Sequence, residues 1–368
     1  LIIPENTIEQ DNNIKMMTRI IGVGNYIPSE TITNLFFDKH IFLNEEGVLL
    51  KDNNASITEK LKKITGIEER RYASSTQVTS DLGLKAAQAA IENAGIDPET
   101  LDYIIFAHNF GDVRFGTVQS DMVPSLAARV KHLLGIRNNF CVAYDVLFGC
   151  PGWIEGVIQA NAFIRAGIAK RCLVIGAETL SRVVDIHDRD SMIYADGAGA
   201  AVLEINENDE SGIKSHLSAS YTLTEKDYLY FGKSYNNERC PDTRYIKMDG
   251  RKIYEFALLH VPEAMKKCLD NSGYSIHKLN KIIIHQANEK MDEAIVNRFY
   301  QLYNTPVPEH IMPMVIHKLG NSSVATIPSL LAMILKGELK HHEIRKNDVV
   351  LFASVGAGMN INAFVYQF

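Results

Sequence analysis

Two stretches of the chain repeat one succession of apolar and polar positions. Glu92-Asn-Ala-Gly-Ile-Asp-Pro-Glu-Thr-Leu-Asp-Tyr-Ile-Ile-Phe106 aligns without gaps to Asp270-Asn-Ser-Gly-Tyr-Ser-Ile-His-Lys-Leu-Asn-Lys-Ile-Ile-Ile284, 178 positions further on. Gly95 matches Gly273, Leu101 matches Leu279, and Ile104-Ile105 match Ile282-Ile283. In each copy the glycine stands where a helix C-cap belongs, and the Ile-Ile run suits a strand covered on both faces. Later segments keep roughly the same offset. Cys172-Leu-Val-Ile-Gly-Ala177 resembles Val349-Val-Leu-Phe-Ala353, and each leads into a turn of small residues. A repeat of this size is a statement about the fold. It predicts an α/β chain of two similar halves, with no Pro/Gly/Ser-rich linker to separate them. The expected boundaries are an N-terminal arm or expression remnant over 1–17, a first half over 18–205, an excursion over 206–245 and a second half over 246–368. A further loop-rich insertion is expected over His40–Ser56, where Asn-Glu-Glu-Gly and Lys-Asp-Asn-Asn are turn signals.

A second pattern surrounds Cys150. The apolar, β-favouring run from Cys141 stops at Gly149. Cys-Pro-Gly-Trp follows, and then Ile154, Val157, Ile158, Ala162 and Ile164 at helical spacing. This reads as strand, tight turn and helix, with the thiol and a proline in the first helical turn. A thiol there feels the positive end of the helix dipole, which lowers its pKa and makes the thiolate available near neutral pH. The alternative is a small buried apolar residue. By the repeat, this turn corresponds to Asn321-Ser-Ser-Val-Ala-Thr-Ile-Pro-Ser-Leu-Leu331 in the second half.

Composition narrows the function classes. The 368 residues are 46% hydrophobic and carry a net charge of −6 without a basic block, which argues against nucleic acid as a partner. The five cysteines (141, 150, 172, 240 and 268) show neither Cys-x-x-Cys nor a paired framework, so free thiols in a reducing compartment are expected rather than disulfides or a zinc site. No run approaches the ~20 apolar residues that span a bilayer, and Leu1–Lys15 lacks the apolar core of a signal peptide. The expectation is a cytoplasmic protein.

Three more segments carry polar side chains at strand ends or helix starts. Ile282-Ile-Ile-His285 puts a histidine at the carboxyl end of a buried strand, where α/β sheets present functional groups. Asn321 follows Gly320 and opens a helical pattern. Ser354-Val-Gly-Ala-Gly-Met359 is a turn of small residues after a strand. Each has a structural alternative: a hydrogen-bonded core histidine, a helix N-cap and a tight turn.

Taken in order, Asp145-Val-x-x-x-Cys150, Asp196-Gly-Ala-Gly-Ala-Ala-Val-Leu-Glu204, His285-Gln-Ala-Asn288 and Gly320-Asn321-Ser-Ser resemble the thiolase superfamily. Within it they are most similar to β-ketoacyl-acyl-carrier-protein synthase III, a likeness that Thr65-Gly-Ile-Glu-Glu-Arg-Arg-Tyr72 extends towards the N-terminus. The resemblance implies a duplicated, five-layered αβαβα fold and a decarboxylating condensing enzyme. Cys150 would take an acyl group from a thioester. Backbone N–H groups of Cys150 and the Gly356-Ala357-Gly358 turn would form the oxyanion hole. His285 and Asn321 would donate hydrogen bonds to the thioester carbonyl of malonyl-acyl-carrier protein. Substrate contacts would fall to Arg189, Trp153, Gln286, Asn288 and Lys290. No metal or redox cofactor is implied. The implied partners are acyl-carrier protein, acyl-coenzyme A or acyl-carrier thioesters, and a second copy in a homodimer, with Gly111–Val123 near the subunit contact.

One departure bears on the donor. The family's usual N-terminal tryptophan, which stacks the coenzyme A adenine, is missing, because the sole tryptophan is Trp153. A carrier-bound or longer acyl donor is therefore expected in place of acetyl-coenzyme A. Two alternatives remain beside fatty-acid initiation: a condensing enzyme of secondary metabolism joining longer acyl chains, and a non-catalytic scaffold that binds acyl-carrier protein. The scaffold would need none of Cys150, His285 and Asn321. A cysteine protease or amidase has less support, since the duplication and the asparagine play no part in it.

Overall fold

A computed structural model of the chain describes residues 17–206, 210–236 and 242–368. Residues 1–16 of the expected arm, and Cys240, lie outside them. Met17 already belongs to the first strand.

Beyond β1 (Met17–Tyr26) a short ladder of β2 (Glu30–Thr33) and β3 (Glu69–Tyr72) brackets α1 (Asn54–Thr65). Then come α2 (Thr79–Ala94), β4 (Tyr103–Ala107), the two-residue pair β5 (Asp112–Val113) and β6 (Ser120–Asp121), α3 (Leu126–Leu133), β7 (Val142–Val146), α4 (Gly152–Arg165), β8 (Arg171–Thr179) and β9 (Asp196–Asn206). The rest of the chain supplies β10 (Gly212–Ser220), the antiparallel pair β11 (Leu229–Lys233) and β12 (Arg244–Met248), α5 (Gly250–Ser272), β13 (Leu279–Ile284), α6 (Glu289–Gln301), the single turn α7 (Ile316–Leu319), α8 (Thr326–Leu335), β14 (Val349–Gly356) and β15 (Asn360–Gln367).

The duplication is explicit in the sheets. The first has the order β1-β9-β8-β4-β7 and the second β10-β15-β14-β13. The steps β4–β8 and β13–β14 are both parallel, and the next two steps are antiparallel in each sheet. The repeated helix stops are the left-handed caps Gly95 (φ 63°) and Gly273 (φ 79°). Register is preserved as well. Ile105 and Ile283 both point into the central layer, while Ile104 and Ile282 point to the outer faces of their own sheets. A strand pattern of period two allows no other assignment once one face is fixed.

Three apolar clusters separate five layers. α2 and α3 cover the outer face of the first sheet, α4 and α8 fill the space between the sheets, and α5 and α6 cover the outer face of the second. Close approach in the centre requires a missing side chain. A Cβ on Gly176 of β8 would stand 2.5 Å from the carbonyl oxygen of Val324, so this glycine lets the segment after Asn321 lie directly on the first sheet.

The structure corrects one boundary. The stretch 206–245 is not a single excursion, because β10 within it is the edge strand of the second sheet, paired with β15 from Gly212↔Gln367 to Ser220↔Asn360. Its polar residues mark an edge strand with one half-exposed face. The part that departs from the repeat is the β11–β12 pair.

Candidate active site

Cys150 sits where the expected strand, turn and helix meet, with one shift. Pro151 is the N-cap of α4 and Gly152 its first residue, so the thiol lies just outside the helix. The reversal is made by Gly149 at φ 67°, whose carbonyl accepts the Gly152 N–H at 3.0 Å. The expected fall in thiol pKa does not emerge. Burial pushes the Cys150 thiol up to about 11, against a smaller opposing pull from the Ser323 hydroxyl, which donates to Sγ at 3.3 Å. Removing a charge from water outweighs half a unit of helix charge here. The resting residue is a thiol.

His285 follows β13 directly, and its backbone N–H donates to Ala353 O at 2.9 Å. Its ring is buried and its Nδ1 lies 2.7 Å from Thr326 Oγ1. The single Thr326 hydroxyl proton is already given to Ser323 O at 3.0 Å. Nδ1 must therefore carry the hydrogen, which leaves Nε2 with a free lone pair. Burial pushes the imidazole down to about 3, so the ring is neutral near pH 7.

Asn321 is not the helix cap that its position suggests. It is held from both sides by the first half, its N–H donating to Ile193 O at 3.0 Å and its carbonyl accepting the Ala195 N–H at 2.8 Å. Its Oδ1 accepts the Ser323 N–H at 2.8 Å, which turns the amide donors of Nδ2 away from that bond. The two halves thus interlock at the residue.

The turn after β14 packs against the turn that carries Cys150. A Cβ on Gly356 would lie 2.5 Å from the Cys150 nitrogen, so glycine is obligatory there. Asn360 Nδ2 ties the two turns together, donating to Ala357 O at 2.8 Å and Phe148 O at 3.4 Å. Cys150, His285, Asn321, Ser323, Gly356 and Ala357 all line one cavity of about 280 Å³; Gly358 does not.

The expected substrate contacts fare differently. Trp153 is in the core, 1% exposed, with its indole N–H donating to Val174 O at 3.2 Å, because α4 turns this face towards the first sheet. Gln286 is also buried and spends both ends of its amide on backbone, Nε2 donating to Pro313 O and Oε1 accepting the Val315 N–H. Asn288 is the N-cap of α6, accepting the Met291 N–H at 3.1 Å. None of the three faces the cavity. Lys290 is exposed in the first turn of α6, beside the cavity-lining Met291, and the Arg189 side chain is 61% exposed.

Sequence reasoning missed the role of the β11–β12 pair. Leu229, Tyr230, Phe231, Ile246 and Met248 supply one apolar wall of the cavity. Between Ile246 and Met248 the strand turns Lys247 to the other side, where its ammonium donates to Asp185 at 2.7 Å and to Asp188 at 3.0 Å, all three being buried. Burial alone would raise Asp185, but hydrogen bonds from Lys247, Tyr235 N–H and His187 N–H hold it below the usual carboxylate range. The cavity wall and the loop bearing Arg189 are therefore one unit. Lys247→Met leaves two buried carboxylates without their cation, and unfolding in urea should show a loss of about 3–5 kcal/mol. Unchanged stability would mean that the cluster has no structural weight.

Asp145 and Asp196, which carried part of the resemblance, are structural. Asp145 accepts from Leu126 and Ala127 N–H at the start of α3 and from His108, and Asp196 accepts from Ala73 and Ser181. Among the described residues no cluster of three or more His, Cys, Asp or Glu could hold a metal ion, and no helix is long and apolar enough to cross a membrane.

Two family models match the chain, 3-oxoacyl-[acyl-carrier-protein (ACP)] synthase III over residues 144–220 and the C-terminal region of the same family over 269–368. The β-ketoacyl-[acyl-carrier-protein] synthase III of Caldanaerobacter subterraneus is 32% identical over 354 residues, covering 94% of this chain and 96% of its own. The chain belongs to the 3-oxoacyl-[acyl-carrier-protein] synthase III family. The Staphylococcus haemolyticus relative is 31% identical and is covered to 99%. The crystal structure of 3-oxoacyl-[acyl-carrier-protein] synthase III from Aquifex aeolicus matches with a TM-score of 0.78 at 29% identity, over 95% of this chain and all of that one. The chain is thus an acyltransferase with the thiolase-like, duplicated five-layered fold that its repeat implied.

Proposed function

We propose that the protein condenses an acyl thioester with malonyl-acyl-carrier protein through an acyl-Cys150 intermediate, as in the initiation of fatty-acid synthesis. The observation that carries this is the shared cavity of Cys150, His285 and Asn321. As Sγ attacks the donor carbonyl, its proton passes to the free Nε2 of His285. The carbonyl oxygen takes the electron pair, held by backbone N–H groups of Cys150, Gly356 and Ala357. When the C–S bond of the donor breaks, His285 hands that proton to the departing carrier sulfur, which leaves as thiol. As the malonyl group binds, Nε2 of His285 takes a proton from solvent, so Nε2–H becomes a donor. The anionic malonyl group entering the cavity offsets the burial that otherwise disfavours an imidazolium.

Nε2–H of His285 and Nδ2 of Asn321 then bind the malonyl thioester oxygen. Carbon dioxide leaves, its bonding pair forms the enolate, and the enolate carbon attacks the acyl-cysteine. The new C–C bond displaces Cys150, which recovers its proton from His285. Lys290 and Arg189 are exposed cations suited to the carrier's phosphate. The working unit is a cytoplasmic homodimer, and no metal or redox group takes part. Intact-mass analysis after incubation with acyl-coenzyme A and acyl-carrier thioesters tests the reading. A mass increase of one acyl group supports it, and an unmodified protein with every donor rejects it.

The cavity favours a longer acyl group. Its lining includes Phe110, Leu180, Phe231, Ile246, Met248 and Met359, which an acetyl group would leave largely uncovered. The missing adenine-stacking tryptophan acts in the same direction. Base–aromatic stacking is worth about 1–3 kcal/mol, roughly ten- to hundredfold in binding. Acetyl-coenzyme A should accordingly show a kcat/KM at least tenfold below that of a medium-chain or carrier-bound donor. Steady-state comparison across donors decides, and acetyl-coenzyme A as the best substrate would remove this part of the reading.

A further inference from the structure

Ser323 bonds two of the three residues of the proposed chemistry directly and reaches the third through Thr326. Its hydroxyl donates to Cys150 Sγ at 3.3 Å, its backbone N–H donates to Asn321 Oδ1 at 2.8 Å, and its carbonyl accepts from Thr326, the hydroxyl that fixes the His285 ring. One residue presents these three groups in three directions because its backbone is left-handed, with φ at 51°, a conformation that a residue with a side chain rarely adopts. Strain held in a buried position at the meeting point of two halves is a mark of use.

The hydroxyl is itself oriented. Asn109, in the loop after β4, donates from Nδ2 to Ser323 Oγ at 3.0 Å and from the same nitrogen to Glu178 Oε1. With its lone pair engaged by Asn109, the hydroxyl has its one proton free for sulfur. Glu178 is the penultimate residue of β8 and is 1% exposed. Burial pushes its carboxyl well above the usual range, against a smaller opposing pull from the Asn109 amide that it accepts from. The reaction proposed above assigns nothing to Glu178, Asn109 or Ser323.

We infer that Ser323 is a further catalytic residue whose hydroxyl stabilises the Cys150 thiolate, and that Asn109 and Glu178 are positioning residues that aim it. The inference rests on Cys150 being the nucleophile, yet its test needs no acyl transfer. Alkylation of Cys150 by iodoacetamide, followed across pH by peptide mapping, reads the thiolate directly. A hydrogen bond to a charged group is strong enough that Ser323→Ala should slow alkylation near neutral pH about ten- to hundredfold. The pH midpoint should rise with it, so that over pH 7–10 the Ser323→Ala curve of rate against pH lies about one to two units to the alkaline side of the wild-type curve.

Ser323→Gly also removes the hydroxyl but relaxes the left-handed backbone, and it should behave alike, which covers the case where alanine disturbs folding. Asn109→Asp should raise the midpoint at least as far, because a carboxylate cannot donate to Ser323 Oγ and would claim its proton. Glu178→Gln, which still offers Asn109 an acceptor, should not raise the midpoint. A wild-type midpoint in both Ser323 variants overturns the proposal. A raised midpoint in Glu178→Gln overturns the role given to Glu178. Failure of all donors to acylate a protein with normal alkylation behaviour would instead count against the proposed function alone.

Discussion

Replacing Cys150 by alanine should abolish acyl-enzyme formation and condensation while malonyl thioester continues to lose carbon dioxide. The split follows from the site. Covalent capture needs sulfur, and removal of a covalent nucleophile costs on the order of 10⁶ in rate. Decarboxylation needs donors to a developing enolate, and His285 and Asn321 are untouched by the change. No other described thiol is placed to substitute. Cys141, Cys172 and Cys268 are buried, and burial pushes Cys172 up to about 12 and Cys268 up to about 11. Cys150 shares a pKa of about 11 with Cys268 but alone among the described cysteines opens on the cavity, which the neutral imidazole of His285 also lines. Intact-mass and peptide mapping of Cys150→Ala with an acyl thioester, beside a carbon dioxide assay, check both halves. An adduct persisting at wild-type yield would remove Cys150 from the chemistry.

Residue patterns carried the fold further than they carried the site. Period-two burial and glycine stops are local, so the correspondence of β4 with β13 could be read from Ile104-Ile105 and Ile282-Ile283 before any coordinates. The strand-end placement of Cys150 and His285 was legible for the same reason. What escaped depends on contacts between distant segments. Trp153 is expected as a substrate contact three residues past Cys150, yet the direction in which α4 faces puts it in the core. β10 reads as a polar excursion because an edge strand with one solvated face loses the apolar run that marks a central one. Lys247 sits in Arg-Tyr-Ile-Lys-Met, and nothing in that string announces a buried ion pair with residues some sixty positions away. Ser323 is one serine of a Ser-Ser pair, and nothing in that pair announces its left-handed backbone or its bonds to Cys150, Asn321 and Thr326. The thiol pKa is the sharpest case, since a helix start can be read from sequence but desolvation cannot.

His285→Ala and Asn321→Ala should each lower carbon dioxide release from malonyl thioester by about 10²–10³, the usual cost of one donor to a developing oxyanion. They should differ in the first half-reaction. Asn321 has no part in thiol deprotonation, so its alanine variant should still acylate Cys150 at near the wild-type rate. In the proposed reaction His285 takes the thiol proton, so its loss should slow acylation near neutral pH and leave attack to the small preformed thiolate fraction. That fraction grows about tenfold per pH unit below the thiol pKa of about 11. Acylation by His285→Ala should climb accordingly from pH 7 to 10. The wild-type rate should be nearly flat over pH 5–9, because burial holds the imidazole at about 3 and it stays an acceptor throughout. Asn321→Asp separates hydrogen-bond donation from shape. The carboxylate fills the same space and still accepts from the Ser323 N–H, but it offers the enolate no donor and adds a like charge, so decarboxylation should fall at least as far as in Asn321→Ala. Decarboxylation at near wild-type rate in both alanine variants would move the donor role to the backbone around Gly356, the remaining set of N–H groups on that wall of the cavity.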